Sequence, residues 1–222
     1  SVGDLNASET DSYKYVVFKR LNLLNYWIYA FCTICLGCFL NPCIKVWLGG
    51  KYCLENSTVI LLALVFLVPG LNNVINIYKD ACGLFKEVQV RAIFTAVINL
   101  VVSIVLVKSI GLNGVYIGTL VAYILTIYMV DCRVVFEKVF HLNVGLYYVD
   151  LLKKTMLFIV LFAVCTYSIN QVYIDSWVEL IVWVIILSVL INGILFLIYK
   201  GTEEYVYLKK IVFNFIKKKR SV

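Results

Sequence analysis

Long apolar blocks separated by short polar breaks dominate the chain. Six blocks can be distinguished, and none carries an acidic or basic residue away from its ends: 23–44, 58–78, 92–108, 113–130, 155–174 and 178–199. A helix needs about 20 residues to cross the ~30 Å hydrocarbon core of a bilayer, and blocks of about 17–18 residues are still in range. The pattern predicts an all-α polytopic membrane protein with six transmembrane helices.

Composition excludes a soluble domain. Of 222 residues, 63% are apolar and only 15% are charged, whereas a soluble domain carries about 25% charged residues. Eight cysteines are present, and "CTIC" at 32–35 has the spacing of a redox or zinc motif. No second ligand pair accompanies it in the sequence, so the cysteines are interpreted as small packing residues. No metal site and no cofactor are predicted.

The basic residues are distributed asymmetrically about the predicted membrane. Of the 20 Lys and Arg residues, 17 precede the first block, follow the sixth, or lie in the second or fourth connection. The opposite side has only Lys45, Lys51 and Lys108. Because cytoplasmic connections carry the excess of Lys and Arg, both ends of the chain are predicted to be cytoplasmic.

The predicted organisation follows from these blocks. It comprises a cytoplasmic segment at 1–22, four transmembrane helices over 23–130, a cytoplasmic amphipathic connection at 131–154, a terminal transmembrane pair over 155–199 and a basic cytoplasmic tail at 200–222. The chain begins at Ser1 and a polar opening leads directly into a span, so we expect it to be the C-terminal part of a longer protein. The connection and the tail interleave aromatic residues with Lys, which predicts contact with anionic membrane lipids and not with nucleic acid.

The stretch "INLVVSIVLVKSIGLNGVYIGT" at 98–119 predicts a transmembrane hairpin with its turn on the external side. Gly114, Gly118 and Ala122 are spaced four apart, and such small residues allow another helix backbone to come close. The favoured interpretation is helix packing, and the alternative is a functional sliding surface. On the first arm, Asn99 lies on one face with Thr95 and Ser103, which indicates that this face contacts protein or a wet cavity.

The second block is the least regular. Pro69 is expected to kink the helix, since it frees a backbone carbonyl one turn earlier. Asn72, Asn73, Asn76 and Asp80 follow it on an arc of about 100°. A kinked helix with a polar face can line a transport path, and Asn72, Asn76, Asp80 and Asn99 are the candidate path residues. The alternative is that these groups only hold neighbouring helices together. No ionisable residue lies in the middle of any block, so charge recognition is not expected within this part.

Five segments occur in an order that resembles one family: "SVGDLNASE" (1–9), "LNPCIKVWLGGKY" (40–52), "DACGLFKEV" (80–88), the 98–119 stretch and "VFEKVF" (135–140). Together they resemble the polysaccharide flippases that export O-antigen or capsule repeat units, within the multidrug/oligosaccharidyl-lipid/polysaccharide exporter superfamily. The resemblance covers about residues 1–148 by motif and the remainder by topology.

This resemblance implies the C-terminal portion of a two-lobe, MATE-like flippase of 12–14 helices in the bacterial cytoplasmic membrane. The expected cargo is an undecaprenyl-pyrophosphate-linked glycan, moved by alternating access, and polysaccharide-assembly proteins are possible partners. The family's cavity cations match no motif position here. A drug or metabolite antiporter of the same superfamily is the alternative. A membrane-embedded glycan polymerase or glycosyltransferase is disfavoured because the external turns offer few catalytic residues, so no enzymatic activity is expected.

Overall fold

The computed structural model describes residues 10–220, with side chains described as far as Ile211. The first motif of the family resemblance, at 1–9, lies outside the described residues. Within the described range all regular elements are helical. They are α1 (Asp11–Leu48), a 3₁₀ turn (Gly50–Tyr52), α2 (Asn56–Leu71), α3 (Asn73–Ala81), α4 (Phe85–Ile110), α5 (Asn113–Phe140), α6 (Gly145–Asn170), α7 (Trp177–Tyr199) and α8 (Glu203–Arg220).

α5 is continuous but changes type along its length. It is α-helical over Asn113–Tyr123, π-helical over Ile124–Asp131, α-helical again over Cys132–Val135 and π-helical over Phe136–Phe140. A π turn holds one more residue than an α turn, so it rotates every side chain that follows it relative to the preceding helix face.

Five helices are long and apolar enough to cross a membrane: Asp11–Leu48, the combined α2 and α3 at Asn56–Ala81, Phe85–Ile110, Asn113–Phe140 and Trp177–Tyr199. Over residues 10–220 the protein is therefore all-helical, with five candidate membrane spans. α6, which contains most of the predicted 155–174 block, is not among the five. Its first ten residues include Asp150, Lys153 and Lys154, and residues 155–170 remain free of charge.

Several helices extend beyond their apolar blocks. α1 has 38 residues, which corresponds to about 57 Å, and it begins at Asp11 instead of near 23. The predicted connection at 131–154 is also largely helical, because α5 continues to Phe140 and α6 begins at Gly145. Apolar blocks mark where a helix can contact lipid, whereas packing determines where the helix ends. Here, aromatic contacts sustain the extensions.

The aromatic contacts form a cluster at one end of the bundle. Phe18 of α1 is surrounded by Tyr78, Phe136, Phe140 and Tyr147, with ring centroids 5.2–6.1 Å away. Most of these pairs have edge-to-face geometry, which adds to the energy of area burial. The cluster joins α1, α3, α5 and α6.

α1 lies at the centre of the bundle. It packs against α2 on one side and against α6 and α7 on another, while α8 contacts it near its start. α2 continues the packing to α5, and α5 packs along α4. The main apolar core is centred on Tyr26, Ala30 and Ile34 of α1, which are at most 1% exposed, and it draws Phe158 from α6 and Ile191 from α7.

Polar contacts tie the connections together at each end. At one end the Asn41 side chain binds the connection between α1 and α2. Its amide donates to the Leu54 carbonyl (2.8 Å), and its oxygen accepts from the Leu54 N–H (2.9 Å). At the same end Lys45 pairs with Asp175, and Thr58 donates to Asn113 at 2.8 Å. The links at the opposite end are Lys19 with Glu204 (3.1 Å), Lys138 with Glu87 (2.8 Å) and Tyr78 with the Lys14 carbonyl (3.1 Å).

The glycine face of α5 packs directly on α4. Gly114, Gly118 and Ala122 are all buried. A Cβ added at Gly114 would lie 2.6 Å from the Leu106 carbonyl carbon, and one added at Gly118 would lie 3.0 Å from the Ser103 nitrogen. Since both obstacles are backbone atoms, a side chain would have to separate the two helices. α4 buries little else, because Val88 and Ser103 are its buried residues.

We predict that Gly118→Leu prevents the α4–α5 contact and strongly lowers the amount of folded protein in the membrane. Gly118→Ala should be intermediate, at a cost of about 1–3 kcal/mol, because its Cβ still approaches backbone. Fluorescence-detected size exclusion of the tagged protein measures both effects. Gly193→Leu is the matched control, since no atom lies within 4 Å of an added Cβ there. Equal yields for Gly118→Leu and Gly193→Leu would contradict the packing account.

Candidate functional site

The second span is interrupted at Asn72, between α2 and α3. Pro69 lies in the last turn of α2, where it removes one backbone donor. Asn72 has φ −88° and ψ 0°, and its N–H donates to the Pro69 carbonyl at 3.2 Å, which closes a tighter turn than the α-helix allows. The helix therefore breaks three residues after the proline, and α3 is a separate nine-residue segment.

Carbonyl groups at the break are satisfied by side chains from other helices. Asn25 of α1 donates to the Gly70 carbonyl at 2.8 Å, and Tyr128 of α5 donates to the Val68 carbonyl. In a membrane interior, irregular backbone is tolerated only where such partners exist. Close packing also restricts position 70 to glycine, because a Cβ there would collide with the ring of Tyr29. Contacts of α1 and α5 with α2 therefore stabilise the helix break.

Asn72 is completely buried at this break. Its side-chain oxygen accepts from the Cys132 thiol at 3.0 Å. Its amide nitrogen has no hydrogen-bond partner within the described residues. A buried amide with an unmet donor costs free energy, so this position is a weak point in the packing between α2, α3 and α5.

Two turns beyond Asn72, three charged side chains from three helices meet. Asp131 of α5 is 0% exposed, and its two oxygens face Lys79 Nζ of α3 at 3.2 Å and Arg91 Nε of α4 at 2.8 Å. The Lys79 ammonium also donates to the Asn76 side-chain oxygen at 3.0 Å. The Arg91 contact is an ion pair without the alignment of a hydrogen bond. We call Lys79, Arg91 and Asp131 the buried ion triad.

The triad fastens the α3–α4 region to α5. Burying ions requires their desolvation, and the attraction repays that cost only while the partners stay together. Asp131 is the single anion between two cations, so its removal would leave both cations in a poorly hydrated environment. The π-helical segment Ile124–Asp131 ends at this residue and sets the direction in which its carboxylate projects.

The predicted path residues do not all lie together. Asn76 contacts the triad through Lys79 and Asn72 lies two turns before it, whereas Asp80 and Asn73 are exposed. Asn99 is within the α4–α5 hairpin, where its amide donates to Thr119 at 2.9 Å and its oxygen accepts from Ser103 at 3.3 Å. The polar face of α4 therefore contacts protein, and its hydrogen bonds join the two arms of the hairpin.

The pattern of apolar blocks did not reveal the triad. Asp131 follows the fourth block directly, and Lys79 and Arg91 border the second and third blocks, so all three were assigned to connections. The structure continues the helices through these positions and buries Asp131. The sequence does place opposite charges at the same end of adjacent helices, which indicates that ion pairs can form there. It does not identify which charges pair.

Comparisons with known proteins provide no assignment. A scan of protein-family models, a search of curated proteins and a search of solved structures gave no match for the chain.

We predict that Asp131→Asn lowers stability strongly, at a cost of about 3–5 kcal/mol, because the buried Lys79 and the half-buried Arg91 both lose their anion. Lys79→Met should be clearly milder, since Asp131 keeps Arg91 as a partner. Thermal midpoints of the intact, detergent-solubilised protein report the order of the two variants.

Glu137→Gln is the control for loss of a carboxylate. Glu137 pairs with Arg133 on the surface of α5, with both side chains more than half exposed, and exposed pairs contribute little. A midpoint for Lys79→Met as low as that of Asp131→Asn would contradict the central role of Asp131.

Proposed function

We propose that the chain is part of a flippase that moves lipid-linked oligosaccharide repeat units across the bacterial cytoplasmic membrane by alternating access. The observation that carries the proposal is the interrupted span, in which α3 is separated from α2 at a buried asparagine and bound by the buried ion triad. Broken membrane helices are a recurrent feature of transporters, where they line the path or move during the cycle. The resemblance in the order of the sequence motifs supports the proposed substrate class.

The proposed moving part is α3. The segment is joined to α2 only through the tight turn at Asn72, and its far end is bound to α5 through Lys79 and Asp131. Opening of this ion contact, together with the Tyr78 contacts to α1, would free α3 to pivot, and closing would restore them. Asp131 follows Asn113 by 18 residues, which is at most about 27 Å of helix at the α-helical rise, because the segment Ile124–Asp131 is π-helical. If Asn113 is external, the triad lies near the cytoplasmic edge of the ~30 Å core.

Six spans with both ends cytoplasmic are proposed. Contacts between Lys45 and Asp175, and between Thr58 and Asn113, support this arrangement because all four residues belong to the side predicted to be external. α6 would be the sixth span, with its charged first turns in the cytoplasmic headgroup layer. The positive-inside distribution supports this direction.

Proposed partners are the undecaprenyl-pyrophosphate-linked glycan, anionic lipids and polysaccharide-assembly proteins. Anionic lipids would contact the basic tail. At its start, the tail helix docks on α1, where the Arg20 guanidinium lies 3.5 Å from the centroid of the Tyr207 ring. The following Lys209 and Lys210 are exposed, which suits a segment lying on a negatively charged surface.

An antiporter of drugs or metabolites is the second candidate function. One observation favours it, since Asp131 is a fully buried carboxylate inside a helix and intramembrane acids are typical of proton-coupled transport. Loss of surface glycan without any change in drug sensitivity, in cells lacking the protein, would favour the flippase; the reverse pattern would favour the antiporter.

The path hypothesis predicts different results for three amides. Asn76→Leu should keep the protein in the membrane but reduce glycan export per molecule, because Asn76 is only partly buried beside the triad. Asn99→Leu is the matched control and should reduce membrane abundance with normal export per molecule, because Asn99 joins the hairpin arms. Asn72→Leu should reduce both, given its burial. Quantitative immunoblots and surface-glycan labelling measure these outcomes. Normal glycan export per molecule for Asn76→Leu would contradict the path hypothesis.

The topology is tested by cysteine-accessibility labelling in a cysteine-free background. Asn56→Cys and Asp175→Cys should react with an impermeant reagent in sealed cells. Lys86→Cys and Lys153→Cys should react only after permeabilisation. External labelling at position 153 would contradict a membrane-spanning α6.

A further inference from the structure

A cavity of about 200 Å³ opens where the start of α1 meets α5, α6 and the turn between α7 and α8. It is separate from the buried ion triad and shares no lining residue with it. Its volume is below the about 300–1,000 Å³ of sites for drug-sized ligands, so a sugar repeat unit is too large for it. A small head group is the appropriate size class.

One wall of the cavity carries two cations and two carboxylates. Lys154 donates to Asp150 Oδ2 at 2.6 Å, and Asn22 donates to the same oxygen at 3.3 Å. Lys19 and Glu204 form the second pair at 3.1 Å. The Lys154 side chain is only 8% exposed, while that of Asp150 is 49% exposed. The other Asp150 oxygen has no partner among the described residues, so it is available to a donor.

The rest of the lining is aromatic, with Tyr15, Phe18, Phe136, Tyr147 and Tyr199. Tyrosine and lysine at the ends of membrane helices are typical of the headgroup layer. Burial raises the pKa of Glu204, but its own backbone N–H and Lys19 outweigh that effect and hold the pKa below its ordinary value. Glu204 is therefore ionised at neutral pH.

We propose that this cavity binds the head group of a zwitterionic aminophospholipid, a phosphate linked to a primary ammonium. Asp150 and Glu204 accept hydrogen bonds from the ammonium, and Lys19 contacts the phosphate. Charge complementarity selects this occupant, because the wall presents both signs and carries no net charge. The inference depends on insertion in a membrane and not on which cargo the protein moves.

The ammonium is the discriminating group. A choline head group has the same charges but no N–H donor, so it cannot hydrogen-bond to Asp150. A glycerol head group has the phosphate without the ammonium, so it offers no charged N–H donor to the second oxygen of Asp150. Hydrogen bonds that involve charged groups are the stronger ones, and the cavity therefore distinguishes lipids by the amine.

Native mass spectrometry of the delipidated intact protein tests the proposal. Phosphatidylethanolamine, phosphatidylcholine and phosphatidylglycerol with identical acyl chains are titrated separately. We expect phosphatidylethanolamine to bind about tenfold more tightly than either of the others. Free phosphoethanolamine should displace it, and inorganic phosphate at the same concentration should not. Equal affinities for the ethanolamine and choline lipids, or equal displacement by inorganic phosphate, would overturn the proposal.

Two variants localise the site. Asp150→Asn and Glu204→Gln should each reduce the preference for ethanolamine over choline to near unity. Glu137→Gln, an exposed carboxylate outside the cavity, should retain the full preference. The preference is a ratio measured on the same protein sample, so reduced yield of a variant does not alter it. An unchanged ratio in both cavity variants would overturn this location.

Discussion

Polar groups inside an apolar helical bundle have no water to replace a lost partner, and this constraint explains the arrangement around α3. The break at Asn72 exposes carbonyl groups, and donors from α1 and α5 meet them. Beyond the break, Lys79 of α3 and Arg91 of α4 both pair with one carboxylate, that of Asp131 in α5. These ion pairs hold α3 and α4 against α5. The helix break, the π-helical segment and the ion pairs thus together give the polar groups around α3 partners within the protein.

The same constraint gives α1 its central place. Tyr26, a buried residue of the apolar core, donates its hydroxyl to the Lys154 carbonyl at 2.9 Å, and Asn22 and Asn25 reach α6 and the broken span. A helix of 38 residues is long enough both to pack in the hydrocarbon and to organise the aromatic cluster beyond it.

The positions of the apolar blocks were sufficient to predict an all-helical chain with several membrane-compatible helices. They were insufficient for helix ends, because Phe136 and Phe140 prolong α5 through packing that no local pattern reports. The polar residues of the second and third blocks were recognised, but their partners were not. Asn99 pairs within its own hairpin, whereas Asn72 contacts Cys132, 60 residues away. The triad depended on a π-helical rotation and on long-range pairing, neither of which has a sequence signature.

Hydrogen–deuterium exchange of the intact protein in lipid nanodiscs tests most directly whether the ion triad restrains α3. Amide exchange is compared between the parent protein and Asp131→Asn over two segments, Asn56–Leu71 and Asn73–Ala81. The account predicts that exchange in α3 accelerates at least about tenfold in the variant while exchange in α2 is unchanged, because α3 opens as a local unit about Asn72. Equal acceleration in both segments, or none in α3, would contradict it.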